Sequence, residues 1–132
     1  MPDIPGDLRY SADHLWARAV DETGMIRVGI TDFAQQSLGD VVDVTLPKPG
    51  DMLTAGEACG DIESVKSVND LVAPVTGAVR KCNDGLARTP EVVNTDPYGE
   101  GWMFEAEVDP STLDRQLADL MDAGAYRDLT GA

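Results

Sequence analysis

Residues 41–51 read VVDVTLPKPGD. In an extended chain Val42, Val44 and Leu46 fall on one face, with Asp43 and Thr45 on the other. The run Pro47-Lys48-Pro49-Gly50-Asp51 then removes a backbone donor twice and supplies a glycine, which stops the strand in a turn. The same alternation recurs on both sides. MIRVGI (25–30) puts Ile26, Val28 and Ile30 in phase, with Arg27 opposite. WMFEAEV (102–108) puts Trp102, Phe104, Ala106 and Val108 in phase, with Glu105 and Glu107 outward. Turn signals fall between such runs: ETG (22–24), TAGE (54–57), NDG (83–85) and DPYGEG (96–101). Short, closely spaced strands with one polar face predict a mainly β protein of antiparallel strands, a sandwich or barrel and not a βαβ sheet.

Two stretches carry helical spacing instead. TDFAQQSLG (31–39) offers Thr31 or Asp32 as N-cap and Gly39 as the stop. DPSTLDRQLADLMDAGAYRDL (109–129) offers Ser111 as N-cap, with Asp114 three residues on as an acidic form of the capping box. Leu113, Leu117, Leu120 and Met121 form one apolar stripe, and Gly124 is expected to break the segment in two. The stripe reads as core packing. A helical segment at about 111–129 therefore closes a single domain spanning 1–132.

Composition narrows the function. With 132 residues, 42% of them hydrophobic, the chain can bury one core. The formal charge is −14, from 24 acidic and 10 basic residues. Such a surface repels phosphate backbones, which argues against a nucleic-acid partner, and it favours solubility and steering toward basic patches on other proteins. No apolar run reaches the length of a membrane span. MPDIPGDLRY has neither the regions of a secretory signal nor the Arg-rich character of a transit peptide, so the expected compartment is the cytoplasm. Cys59 and Cys82 form no CxxC pair, and His14 is the only histidine, so neither a zinc nor an iron–sulfur site is expected. The two cysteines read as small buried hydrophobes. A Ser-His-Asp hydrolase would need His14 as its base, and no GxSxG motif accompanies it. His14 alternates with Trp16 and reads as a hydrogen-bonded structural residue.

DIESVKSVND (61–70) is the stretch that bears on chemistry. Lys66 stands between serines near the join of two halves that echo each other, 41–66 and 70–93. If that join is a hairpin tip, the amine projects into solvent from a rigid post. An amine held so can be acylated, which removes its charge and turns the side chain into a tether. A cofactor on such a tether supplies the chemistry, and the protein supplies reach and orientation. Ile62 and Val65 are expected to anchor the incoming strand. Ser64, Ser67, Asn69 and Asp70 suit an exposed turn, and Glu63 offers a charge three residues before the amine. An ordinary solvated lysine has the same local pattern.

ESVKSVNDLVAPVTGAV (63–79) closely resembles the lipoyl-attachment segment of the glycine cleavage system H protein family. The resemblance extends over nearly the whole chain, through YSADHLWAR (10–18), VGITDFAQQSLGDVVDVTLPKPGD (28–51), PEVVNTDPYGEGWMF (90–104) and LMDAGAY (120–126). It implies a flattened barrel-sandwich hybrid of two antiparallel sheets, of the lipoyl/biotinyl-carrier type, with a short internal helix and C-terminal helices. It implies lipoate in amide linkage on Lys66, with Glu63, Ser64 and Val65 read by the lipoate ligase or the lipoyl/octanoyl transferase. The implied carrier is not itself catalytic. It takes the aminomethyl group of glycine from the P protein, a PLP glycine decarboxylase, to the T protein, an aminomethyltransferase, and the L protein, dihydrolipoamide dehydrogenase, reoxidises the arm. The loaded arm is expected to shelter in a surface cleft, with Asp70 and Phe33 as candidate cleft residues and Asp70 holding the cationic amine. The chain departs from the family at Leu15, where many relatives have an acid, and at Phe33, where relatives often show His or Tyr.

The alternatives are an H-like lipoyl relay serving another lipoate-dependent pathway and an unmodified acidic interaction module. A biotin carrier fits less well, because its lysine usually stands between methionines and here the neighbours are Val65 and Ser67.

Overall fold

The computed structural model describes residues 2–20 and 23–131. Chain order among the described residues is β1 (Arg9–Tyr10), β2 (Leu15–Ala19), β3 (Met25–Ile30), α1 (Asp32–Leu38), β4 (Val41–Thr45), β5 (Met52–Leu53), β6 (Ala58–Ser64), β7 (Val68–Val72) and β8 (Gly77–Cys82). A 3-10 turn follows at Asp84–Ala87, then α2 (Val92–Thr95), β9 (Phe104–Glu107), α3 (Pro110–Ala118) and α4 (Ala123–Thr130). The strands form a six-stranded sheet, in the order β1-β2-β3-β9-β8-β5, and a three-stranded sheet, β4-β6-β7. All their pairings are antiparallel. The expected mainly β architecture of two sheets with added helices is what the chain adopts, and the barrel is not closed.

The core lies between the sheets. Leu15, Ile26, Val28 and Phe104 from the larger sheet meet Val44, Ile62 and Leu71 from the smaller. Each such side chain contributes about 1.5–3 kcal/mol when it leaves water. A second cluster, Ile4, Leu8, Tyr10, Trp16 and Tyr126, covers the opposite face of the larger sheet. Strand β2 is thus buried on both faces, which is why LWARA does not alternate cleanly. Trp16 lies flat over Gly29, its register partner, where an added Cβ would sit 2.8 Å from the indole.

Several local expectations need correction. Val42 is 48% exposed, whereas Val41 and Val44 are buried. A register shift between Val41 and Asp43 resets the phase, and the Asp43 carboxylate accepts the Val44 N–H at 2.9 Å. Trp102 does not share the face of Phe104. Strand β9 begins only at Phe104, Met103 takes the core position, and the Arg27 guanidinium lies 4.7 Å over the Trp102 ring. Arg27 also pairs with Glu105 at 2.7 Å, so Glu105, expected outward, is nearly buried.

Helix α1 is capped as expected, by Thr31 at the start and by Gly39, at φ 77°, at the end. Helix α3 begins one cap earlier than expected. The N-cap is Asp109 and not Ser111: the Asp109 carboxylate accepts the Ser111 N–H, and Pro110 takes the first turn, where its missing donor costs nothing. The C-terminal segment breaks at residues 119–122 and not at Gly124, because Met121 bridges to Tyr10 and Asp122 caps α4. Gly124 lies inside α4. The ETG turn involves Glu22, outside the described residues; Gly24 takes φ 95°.

Candidate functional site: a hairpin lysine beside a cleft

Strands β6 and β7 pair in register through Glu63↔Val68, leaving residues 64–67 as the tip. Ser64 holds that tip together. Its hydroxyl accepts the N–H groups of Lys66 and Ser67, each at 3.2 Å, and its own N–H donates to the Ser67 carbonyl at 2.8 Å. The tip is braced from outside as well, since Val65 N–H donates to the Asp40 carbonyl at 3.0 Å. Lys66 itself is exposed, and among the described residues no carboxylate forms an ion pair with it.

The stem of Lys66 rests against the end of α1. A Cβ added to Gly39 would lie 3.3 Å from Lys66 Cε. Gly39 has φ 77° and ψ −158°, a region open essentially to glycine alone. Asn94 fixes this corner: its amide donates to the Gly39 carbonyl at 2.8 Å and to Gln35 Oε1 at 3.1 Å, and its carbonyl accepts the Val41 N–H at 2.8 Å. Chain reading missed Asn94, since nothing in VVNT signals a residue that ties two helices to a strand.

Beside this post lies a cleft of about 420 Å³, walled by the 12–15 loop, α1, Ile62 and the free edge of β7. Ser37 and Leu38, just before Gly39, line it, so the cleft begins where the lysine stem rests. Phe33 and Asp70, the candidate cleft residues, both line it. So do Asp13 and His14, from the loop before β2, and Leu15, the first residue of β2 and one of the two departures from the family pattern. Among the described residues, none of those lining it is a lysine or arginine.

His14 departs from its expected place. It lies not on a strand in phase with Trp16 but in the β1–β2 hairpin loop at φ 68°, the one non-glycine residue with positive φ among the described residues. Its ring packs against Phe33, with centroids 4.9 Å apart, and burial lowers its pKa from the usual 6.5, with Asp13 opposing.

Of the other expected site residues, Glu63 is exposed on the outer face of β6, in register with Asp43 and Val68. Ser64 is buried, its hydroxyl engaged within the turn. Val65 is 67% exposed and does not anchor the strand; Ile62, 2% exposed, does so alone. Cys59 and Cys82 are half-buried free thiols, with Cys59 pushed up to about 11 by burial. Among the described residues, no helix is long and apolar enough to cross a membrane.

An exposed hairpin lysine on a small antiparallel sheet packed against a larger one defines a protein of the lipoyl-domain-type fold. The comparisons narrow the class. A family described as glycine cleavage H-protein matches residues 8–131. A glycine cleavage system H protein of Mycobacterium avium (strain 104) is 54% identical over 129 residues, covering 96% of each chain. One of Mycobacterium tuberculosis (strain ATCC 25177 / H37Ra) is 53% identical over 131 residues, again covering 96% of each. The crystal structure of a glycine cleavage system H protein from Mycobacterium marinum superposes with a TM-score of 0.86 at 40% identity, covering 98% of this chain and 100% of that one. The chain belongs to the glycine cleavage H-protein family, and its role lies in the glycine cleavage system.

Proposed function

We propose that this chain is the non-catalytic lipoyl carrier of its glycine cleavage system, working in the cytoplasm with lipoate attached through Lys66. The observation that carries the reading is the pairing of an exposed amine on a doubly braced tip with an adjacent cleft. The residues present fit the group. The amine is free for acylation, Phe33, Leu38 and Leu71 offer apolar walls to an aliphatic arm, and Asp70 offers a carboxylate to a cationic load. Lipoate, once attached, supplies a disulfide that can be reduced as it takes up the aminomethyl group. The chain's own work is to present the amine and to shelter the load from water.

The partners in this reading are the P protein, which loads the arm, the T protein, which unloads it, and the L protein, which reoxidises it. A ligase or transferase reads the tip, with Glu63 as the exposed charge before the lysine. The intact mass of protein from its own cell tests the attachment. A mass increase of one lipoyl amide, absent in Lys66→Arg, supports the carrier. An unmodified mass in cells supplied with lipoate and its ligase favours an acidic interaction module, and a biotin-sized increase another cofactor. Lys66→Arg keeps its stability within about 0.5 kcal/mol, as exposed substitutions do, and loses glycine-dependent carbon dioxide exchange with the P protein. Exchange near the wild-type rate without added free lipoate overturns the assignment.

A further inference from the structure

A chain of hydrogen bonds runs from the cleft into the second core. His14 Nδ1 lies 2.9 Å from the Tyr126 hydroxyl, and that hydroxyl lies 2.7 Å from Thr31 Oγ1. Thr31 Oγ1 also accepts the Ala34 N–H at 3.1 Å, as the cap of α1. Thr31 and Tyr126 are both fully buried.

Proton counting gives the chain a direction. In one arrangement Thr31 donates to Tyr126, and Tyr126 donates to His14 Nδ1; every hydroxyl proton then has an acceptor. In the reverse arrangement Nδ1–H donates to Tyr126, which donates to Thr31. The Thr31 hydroxyl proton is then left without an acceptor among the described residues, at a site closed to water. A buried unpaired donor disfavours the second arrangement by on the order of 10-fold or more. With Nδ1 accepting, the neutral imidazole carries its proton on Nε2. Nδ1 faces Tyr126 while the ring lines the cleft, so Nε2–H is the group left for a ligand.

We infer that His14 is a positioning residue that presents a neutral Nε2–H donor to the cleft, in a tautomer locked from behind by Tyr126 and Thr31, and that this donor bonds the amide carbonyl of the docked arm. The inference rests on the reading that the arm docks in this cleft. The amide carbonyl is the arm's one strong neutral acceptor, and a cationic amine suits Asp13 or Asp70 instead. Two further features agree. The loop holds His14 at φ 68°, where a non-glycine residue persists only when its surroundings fix it, and such residues cluster at functional sites. Protonation would turn Nδ1 into a donor and reverse the chain. This opposes charging, as burial does, while the carboxylate of Asp13 favours it; Asp70 lines the same cleft.

Because His14 is the only histidine, nitrogen-15 NMR reads its tautomer without ambiguity. In the unlipoylated protein the Nε2–H tautomer is expected to dominate, and Tyr126→Phe to erase most of that preference while the amide spectrum stays folded. A dominant Nδ1–H tautomer in the wild type overturns the inference. In the lipoylated protein charged with the aminomethyl load, the Nε2–H resonance is expected to shift together with those of Phe33 and Leu71. If Phe33 and Leu71 shift and Nε2–H does not, the donor role falls and the docking stands. If none of the three shifts, the docking falls and takes the donor role with it. Two variants separate positioning from packing. His14→Asn keeps an acceptor near Nδ1 and loses the cleft donor; His14→Gln keeps a donor near Nε2. Release of the load by hydrolysis is expected to quicken several-fold in His14→Asn and to stay near wild type in His14→Gln. Equal rates in the two variants overturn the inference.

Discussion

Gly39 and Ser64 set the geometry of the Lys66 post, and each makes a separate claim at the scale of one residue. Gly39 combines a backbone closed to other residues with a close approach to the lysine stem. Gly39→Ala is expected to lose about 1–3 kcal/mol, read as a lower urea midpoint, and to slow lipoylation by displacing the stem. Unchanged stability would mean that the corner relaxes and does not hold the lysine. The Ser64 hydroxyl bonds the N–H groups of Lys66 and Ser67 at the mouth of a solvated turn. Ser64→Ala is therefore expected to cost only about 1 kcal/mol, because water can replace part of what is lost. Its effect on lipoylation rate should exceed its effect on stability, and a rate equal to wild type would show that the modifying enzyme does not need a stiff tip. The exposed position of Lys66 was legible in the sequence because it depends on neighbours within a few residues. The link from His14 to Tyr126 was not, because it spans 112 residues and neither side chain announces the other.

At the scale of elements, the small sheet sets acid against acid across neighbouring strands. Asp43 and Glu63 are register partners on β4 and β6, and Asp61 and Asp70 are partners on β6 and β7. No lysine or arginine pairs with any of them among the described residues. Like charges directly opposite across strands are destabilising. Asp61→Asn keeps the side-chain shape and removes one charge, so it is expected to raise stability by about 0.2–1 kcal/mol in urea unfolding. A loss of stability would show that the carboxylate holds a bond of its own. The strands were legible where their period of two ran unbroken, as in β3. They were misread where one residue broke phase. The shift after Val41 turns Val42 outward, and the late start of β9 gives Met103 the place expected of a neighbour. In both cases register comes from the partner strand, which a single stretch of sequence does not contain. The helix starts show the same limit: Thr31 sits where its own sequence suggests, whereas α3 takes Asp109 because Pro110 already fits the first turn.

At the scale of the whole molecule, charge decides the sign of the response to salt. The chain carries a formal −14, and the ion pairs among the described residues are Arg27–Glu105 and Arg80–Glu107. The second is about half exposed and contributes little. The first is shielded from water and is screened less than surface charges are. Salt therefore removes more self-repulsion than attraction. Raising sodium chloride from 0.01 to 0.1 M shortens the screening length from about 30 to about 10 Å, and the urea midpoint is expected to rise. A fall would mean that attractive pairs outweigh the net charge. The alkaline limb has its own cause. Burial pushes Cys59 from 9.0 up to about 11, so the folded chain keeps a proton there that the unfolded chain releases. Between those values the native state binds more protons, and its stability falls as pH rises. Cys59→Ala removes the thiol and is expected to flatten the decline in urea midpoint above pH 9, at whatever cost its lost packing imposes at neutral pH. A decline as steep as in the wild type would assign the alkaline loss to other groups, the tyrosines of the second core being the next to test.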